Sequence, residues 1–198
     1  NTKYSIKDQI VIFQSDGSKA FNSKINYNGQ LAINPFDLNL KINLNDYRIS
    51  NLLTPNSIIN EFIKSGLLFN ENISVNTLVN IKSKKKNKIF NEAKLELRVL
   101  NGKISFDKSV FINNNIGLLE VSNSDLFLEN NKLILTANLS IDIKNTDRLY
   151  SFLNTGKNSR KDIKNIKLNI IYDFLGNQIA FKNIKIDDNK VSDQFYNI

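Results

Sequence analysis

The chain has 198 residues, of which 41% are hydrophobic, and it carries a formal net charge of +8. Such a chain can bury a sizeable core as one large domain or two small ones, so wholesale disorder is not expected. It contains no cysteine and no histidine, which excludes disulfides, thiol chemistry and an imidazole base or metal ligand. The positive charge favours anionic partners, although the basic residues are spread along the chain.

Alternation of apolar and polar residues predicts most of the secondary structure in the first half of the chain. Every second side chain of a strand lies on the same face, so a period of two marks a strand with one apolar side. Strands are predicted in this way at residues 9–13, 20–27, 31–33, 36–45, 73–81 and 93–99. Asparagine and glycine tolerate the positive φ angles of tight hairpins. Turns are therefore predicted at Asp16-Gly17, Asn28-Gly29 and Asn101-Gly102.

The second half repeats this pattern in shorter segments. Strands are predicted at residues 104–106, 110–112, 119–121, 126–128, 132–143, 166–172 and 179–186. The phase of the alternation slips between Phe181 and Ile184, which predicts a β-bulge. Both ends of the chain, residues 1–8 and 187–198, are expected to be loose.

Helical spacing of apolar residues occurs in two short stretches. In the first, Thr54 is a predicted N-cap, Pro55 suits the first helical position and Gly66 suits the stop. The second begins at Asn145 or Thr146 and ends at Gly156, and its predicted apolar face consists of Leu149, Phe152 and Leu153. Each helix follows a long alternating strand, so residues 36–66 and 133–156 are either an internal repeat or a chance similarity.

These elements predict a mainly β fold. We expect a curved antiparallel sheet or a partly rolled meander of about ten strands, capped by two short helices. Two short helices are too few to cover so long a sheet, so part of its apolar face is expected to form a concave groove. Residues 1–198 are expected to form a single β-rich domain, and the start at Asn1 suggests a piece of a longer protein.

Three stretches resemble the C-terminal region of the AsmA-like proteins of Gram-negative bacteria. Residues 90–106, with a strand, the Asn101-Gly102 turn and a second strand, are similar to the family's sub-layer segments. Residues 126–143 and the helix after them form the second stretch. Residues 166–186 resemble the family's closing hairpin. None of these stretches contains a catalytic signature.

The resemblance implies a function in lipid transport. AsmA-like proteins are anchored in the inner membrane by an N-terminal helix, project into the periplasm and form a long curved sheet with a hydrophobic groove. They are associated with phospholipid transport to the outer membrane and with envelope assembly. The resemblance thus implies a non-enzymatic, periplasmic segment whose partners are phospholipid acyl chains and, through an anchor absent from this sequence, the inner membrane. The alternative is a β-sandwich interaction or adhesion module of a surface protein, which binds through its loops.

Two sets of residues are candidate binding sites. Leu38, Leu40 and Ile42 of one strand and Leu135, Ala137 and Leu139 of another are candidates for the wall of a lipid groove. They are equally compatible with an ordinary core, because acyl chains and protein side chains provide the same transfer free energy. Five lysines of one basic turn are candidates for contact with anionic headgroups or simply for a solvated turn: Lys82, Lys84, Lys85, Lys86 and Lys88.

Catalytic, metal and nucleic-acid motifs are not found. The pair Glu92/Glu96 is expected on the solvent side of a strand, and Asp187-Asp188-Asn189 lacks the ligand spacing of a calcium loop. No phosphate-binding loop or dinucleotide fingerprint is present, so no cofactor is expected. The basic turn has no aromatic residue for base stacking, which disfavours nucleic acid. An enzyme that uses Asp, Glu, Lys and Tyr stays open as a third possibility and requires a cleft of convergent carboxylates.

Overall fold

A computed structural model describes residues 2–20, 23–49, 63–83, 90–130, 132–176 and 178–191. All thirteen strands in these residues belong to one curved, mostly antiparallel sheet. The strands are β1 Lys3–Lys7, β2 Ile10–Ala20, β3 Ser23–Ala32, β4 Phe36–Asn45, β5 Ile73–Lys82, β6 Glu92–Leu100, β7 Lys103–Ser105, β8 Val110–Asn113, β9 Gly117–Glu129, β10 Lys132–Ile143, β11 Asn165–Asp173, β12 Gln178–Ile186 and β13 Asn189–Lys190. The mainly β fold predicted from the alternation is confirmed.

The strands follow one another across the sheet in chain order, with one interruption. Both β7 and β8 pair with β6 on one side and with β9 on the other. These two short strands are therefore two halves of a single broken row. All described pairs are antiparallel except β4 with β5. That pair is parallel because the connection from Asn45 to Ile73 returns the chain to the other end of the sheet before β5 begins.

The first predicted helix lies largely outside the described residues. Residues 54–62 are not described, while Ile63 and Lys64 are helical. Gly66 follows with a φ of 75°, a left-handed conformation that suits the predicted stop. A 3-10 helix, Leu67–Phe69, then leads to β5. The parallel pairing after this connection distinguishes it from the second strand–helix unit, because β10 and β11 are antiparallel. The two stretches that resemble a repeat therefore differ in topology.

The second helix, α1 Thr146–Phe152, is present, and Asn145 is its N-cap: the side chain accepts a hydrogen bond from the backbone N–H of Arg148 at 3.0 Å. No residue of α1 is buried, and Phe152 and Leu153 are exposed. The helix therefore does not cap the apolar side of the sheet as expected, because it lies beyond the strand ends. A second 3-10 helix, Lys157–Ser159, follows it.

Register divides the side chains into two faces, because directly paired residues point to the same side of a sheet. Leu38 of β4 pairs with Val75 of β5, and Val75 pairs with Val99 of β6. The face that contains these residues is called the apolar face. The other, the polar face, carries amide pairs between neighbouring strands, with Asn43 and Asn80 at 2.9 Å and Asn138 and Asn169 at 2.9 Å.

Two hydrophobic clusters lie at opposite ends of the apolar face. The first lies at the end where β10 finishes and β11 begins, here called the α1 end; it contains Leu44, Ile49, Val79, Ile81, Ala93 and Phe111. The second lies at the far end and contains Ile63, Leu68, Val75, Val99, Ile104, Leu126 and Leu133. Residues of the β4–β5 connection, Ile49 in one cluster and Ile63 in the other, cover the strands at each end. On β6 the two clusters meet, since Leu95 packs against the first and Leu97 against the second.

Several turns predicted from local sequence are wrong. Asn28 and Gly29 lie inside β3, and Asp16 and Gly17 lie inside β2. Asp16 and Gly17 form an irregularity in the register between β2 and β3. Residues 123 and 124 of β9 form a similar irregularity in the register with β10. Such bulges place an extra residue in one strand without ending it. The bulge predicted near Phe181 is confirmed, since the β11–β12 register shifts beside it.

The ends of the chain are more ordered than expected. Residues 3–7, expected to be loose, form the edge strand β1, which pairs with β2 from Lys3↔Gln14 to Lys7↔Ile10. Near the other terminus, β13 pairs with the end of β12. Backbone pairing with the neighbouring strand is sufficient to order both segments although their side chains are exposed. Residues 192–198 lie outside the described part.

A buried serine bridges the broken row of the sheet. Glu96 of β6 pairs with Leu78 of β5 on one side, but on the other side it faces the break between β7 and β8, neither of which provides a register partner for it. Its backbone N–H donates to Ser109 Oγ at 3.0 Å, and that hydroxyl donates back to the carbonyl oxygen of Glu96 at 3.4 Å. Ser109 is 1% exposed. A side chain thus replaces the missing ladder contacts.

Replacing Ser109 with alanine is expected to lower the free energy of unfolding by about 1–3 kcal/mol, because it leaves both backbone groups of Glu96 unpaired away from water. The measurement is urea denaturation of both proteins. The control is Ser5→Ala on the exposed strand β1, which should be neutral within about 0.5 kcal/mol. Equal stabilities for the two variants would contradict the bridging role of Ser109.

Candidate functional site

All six predicted groove residues lie on the apolar face, but they do not form one pocket. Leu38, Leu40 and Ile42 are in β4, and Leu135, Ala137 and Leu139 are in β10. Four strand positions separate β4 from β10 in the sheet. Neighbouring strands are about 4.8 Å apart, so the two sets are roughly 24 Å apart along the sheet. They mark two parts of one extended surface.

Packing distinguishes these six residues more than burial does. Ala137 is 3% exposed, while the other five are half-buried. Ile42 packs against the cluster at the α1 end, and Leu38 and Leu135 pack against the far cluster. Leu40 and Leu139 belong to neither of these clusters among the described residues.

The apolar face extends beyond the predicted set to both edges of the sheet. On β1, Tyr4 is 71% and Ile6 is 69% exposed; on β12, Ile179 is 51% and Phe181 is 41% exposed. Their registers, such as Tyr4↔Phe13 and Ile170↔Phe181, place them on the same side as the groove residues. The alternation identified Ile179 and Phe181 but not Tyr4 and Ile6, which lie in the segment expected to be loose. The order of the strands, which the sequence did not provide, was needed to recognise one continuous surface.

The exposed area of the molecule fits a single layer. The whole chain exposes 13249 Å². A globular protein of 22.7 kDa exposes roughly 9,500 Å². Two packed sheets hide the inner face of each, whereas the strands described here all join one sheet. The exposed area therefore agrees with an arrangement in which the described strands share one sheet.

The polar face contains an open depression of about 680 Å³ in the middle of β2–β6. Amide side chains dominate it, and the pair Asn39/Asn76, with Nδ2 to Oδ1 at 3.2 Å, joins two of its strands. Lys41, Glu96 and Arg98 contribute charges. Glu96 forms an ion pair with Lys94 on the same strand, as expected for a solvent-facing carboxylate.

A second cavity, of about 670 Å³, lies at the α1 end. It is lined by Ile143 at the end of β10, by α1 and by residues 160–164 before β11. The hydroxyl of Thr146 lies 3.0 Å from Asp162 Oδ1 and 3.0 Å from the carbonyl oxygen of Ile163. The hydroxyl of Tyr150 accepts from the backbone N–H of Lys161 at 3.3 Å. These contacts join the helix to the loop and keep the cavity open.

Of the predicted basic turn, only Lys82 is described, and it lies at this same end. It is exposed at the end of β5, on the polar face. Lys84, Lys85, Lys86 and Lys88 lie outside the described residues, so their contact with headgroups stays a prediction. Three of the four cationic residues of the cavity lie close together in the sequence, at 160–164, but the pairing of β10 with β11 is needed to bring them beside Lys144 and α1.

Acidic residues do not converge on a catalytic or metal-binding site in the described part of the chain. No group of three or more His, Cys, Asp or Glu side chains able to hold a metal ion occurs there. Asp187 instead binds backbone: its Oδ1 accepts from the N–H groups of Asn165 and Lys164, each at 2.8 Å. The hydrogen bond from Asn165, then that from Lys164, lowers the pKa of the Asp187 carboxyl.

This lowered pKa predicts a loss of stability in acid. A carboxyl whose pKa is lower in the folded state than its unfolded value of about 3.9 stabilises the fold above that value, and the contribution is lost as the pH falls through the folded pKa. Replacing Asp187 with asparagine should therefore cost stability at neutral pH and progressively less below about pH 4. The measurement is the urea midpoint of both proteins across this range, because the other carboxyls cancel in the difference. A constant difference would contradict the linkage.

Among the described helices, none is long and apolar enough to cross a membrane. Comparison of the chain with models of protein families, with curated proteins and with solved structures finds no match in any of the three.

Proposed function

We propose that this chain is a non-enzymatic segment that shields or conducts the acyl chains of lipids along its apolar face. The observation that carries this proposal is one sheet whose apolar face continues across its rows, with buried clusters near its two ends and half-buried apolar side chains, such as Leu40 and Leu139, outside both. Acyl chains have the extended apolar shape that such a surface binds, and removal of their area from water provides about 25 cal/mol per Å².

The resemblance to AsmA-like proteins supports the same proposal. On this hypothesis the chain is part of a periplasmic protein tethered to the inner membrane, and it contributes to phospholipid transport and envelope assembly. The alternative of a β-sandwich adhesion module is less well supported, because a sandwich requires two packed sheets and the described strands share one.

The test is direct detection of bound lipid. The full chain is purified without detergent, extracted, and analysed by mass spectrometry for co-purified lipid. A photo-reactive side chain is then placed at Leu40 or Leu139, with Lys41 and Ser140, the next residues on the opposite face, as matched controls. The expected result is cross-linking of lipid at Leu40 and Leu139 only.

Two outcomes overturn the proposal. One is the absence of any lipid in the extract together with no cross-link at Leu40 or Leu139 after incubation with vesicles. The other is equal cross-linking on both faces, which indicates unspecific adsorption. Circular dichroism of each labelled protein verifies that the sheet is intact.

A further inference from the structure

We infer that the cavity at the α1 end binds the phosphate of an anionic phospholipid whose acyl chains lie on the apolar face. This inference rests on the proposed function and adds a headgroup site to it. The cavity does not include Lys82, the described residue of the basic turn that the sequence singled out. Its charge and its position at the end of a row of the apolar face carry the inference.

The cavity has an excess of positive charge. Four cationic side chains line it, Lys144, Arg160, Lys161 and Lys164, against two carboxylates, so its formal net charge is +2. Both carboxylates have partners within the protein. Asp147 pairs with Arg160 at 3.5 Å, and Asp162 accepts from Thr146.

Lys144 and Lys161 are therefore the groups available to a ligand. Within the described parts of the chain, neither lysine forms an ion pair. Both are exposed at the cavity. Lys164 acts on Asp187, whose carboxyl it helps to keep ionised. An ammonium group without a carboxylate partner favours contact with a phosphate. Removing the charge of such a lysine weakens its attraction to an anionic lipid surface.

The cavity lies at the end of one row of the apolar face. Ile143, which lines it, follows Leu139 and Ile141 at alternate positions of β10. All three are half-buried. Four residues of a strand span roughly 13 Å, so an acyl chain that begins at the cavity and follows β10 reaches Leu139. A free phosphate uses only the cationic part of this arrangement, whereas a phospholipid uses both parts.

The experiment compares charge variants of the full chain in vesicle binding. The variant Lys144→Gln/Lys161→Gln should bind phosphatidylglycerol vesicles more weakly than the unmodified protein, roughly five-fold for each charge removed. The matched control, Lys7→Gln/Lys103→Gln, removes two exposed charges at the far end of the sheet and should bind like the unmodified protein. Binding to diacylglycerol, which has acyl chains and no phosphate, should be the same in all three proteins.

The possible results separate the headgroup site from the groove. Equal losses in the two double variants would overturn the inference, because they indicate attraction to net charge alone. Inorganic phosphate could instead abolish the difference in binding between phosphatidylglycerol and diacylglycerol while diacylglycerol binding stays unchanged. That result would assign the cavity to free phosphate and would also overturn the inference. If none of the three proteins bound diacylglycerol, that result would count against the proposed function itself.

Discussion

Replacing Gly117 with alanine should destabilise the protein by about 3 kcal/mol or more. Gly117 begins β9 with a φ of 152°, a conformation that side chains rarely adopt. A Cβ atom at this position would lie 2.0 Å from the carbonyl oxygen of Asp142, which is backbone and cannot rotate away. The register Ile143↔Gly117 and Asn113↔Gly117 means that three strands meet at this residue.

The destabilisation caused by Gly117→Ala should extend to the α1 end of the sheet. The carbonyl oxygen of Ile116, next to Gly117, accepts from the backbone N–H groups of Lys144 and Asn145, which lead into α1. Urea denaturation measures the loss of stability, and hydrogen exchange should show faster exchange at the paired ends of β9 and β10. Gly156→Ala is the matched control, because a Cβ there meets nothing within 4 Å and should cost little. Similar stabilities for both variants would refute the close approach at Gly117.

Replacing Ile104 with alanine should cost about 2–5 kcal/mol. Ile104 is 0% exposed, and its strand β7 is only three residues long. Its register partners are Val99 on β6 and Leu126 on β9, each 1% exposed. Truncation leaves a cavity between these side chains. The broken row of the sheet has few backbone contacts there to compensate for the lost packing.

The measurement is again the free energy of unfolding, with Ile104→Val as a smaller step of about 0.5–1.5 kcal/mol. Ile12→Ala is the matched control, since Ile12 is a strand isoleucine on the polar face that is 52% exposed. Its loss should stay within about 0.5 kcal/mol. If Ile12→Ala cost as much as Ile104→Ala, the assignment of the core to one face would be wrong.

Local sequence was a good guide to the strands and a poor guide to some turns. Asn101-Gly102 forms the predicted turn between β6 and β7, with the positive φ angles of 51° and 70° that these two residue types tolerate. Asn28-Gly29 has the same chemistry, yet it lies within β3. The ring of Phe13 on β2 occupies the space beside Gly29, and β3 pairs without interruption with β4. Long-range pairing therefore overrides the local preference for a turn.

The sequence predicted which side chains belong to the candidate site, but it did not predict how they are arranged in space. Alternation assigned Leu40 and Leu139 correctly to one apolar face, because the period of two is a property of the chain alone. The sequence could not indicate that four strand positions separate them, nor that Leu38 and Ile42 belong to covered clusters. The cationic cavity depends on residues of α1 and of the loop before β11, which come together only when β10 and β11 pair.

What the sequence by itself determined is which side chains share a face and where most strands lie, because both follow from the geometry of an extended backbone. The tertiary structure decided the parallel pairing of β4 with β5, the merging of predicted strands through bulges and the order of the strands across the apolar face. These features depend on contacts between residues far apart in the chain. Their free energies are set by burial and by hydrogen bonds that no local pattern encodes.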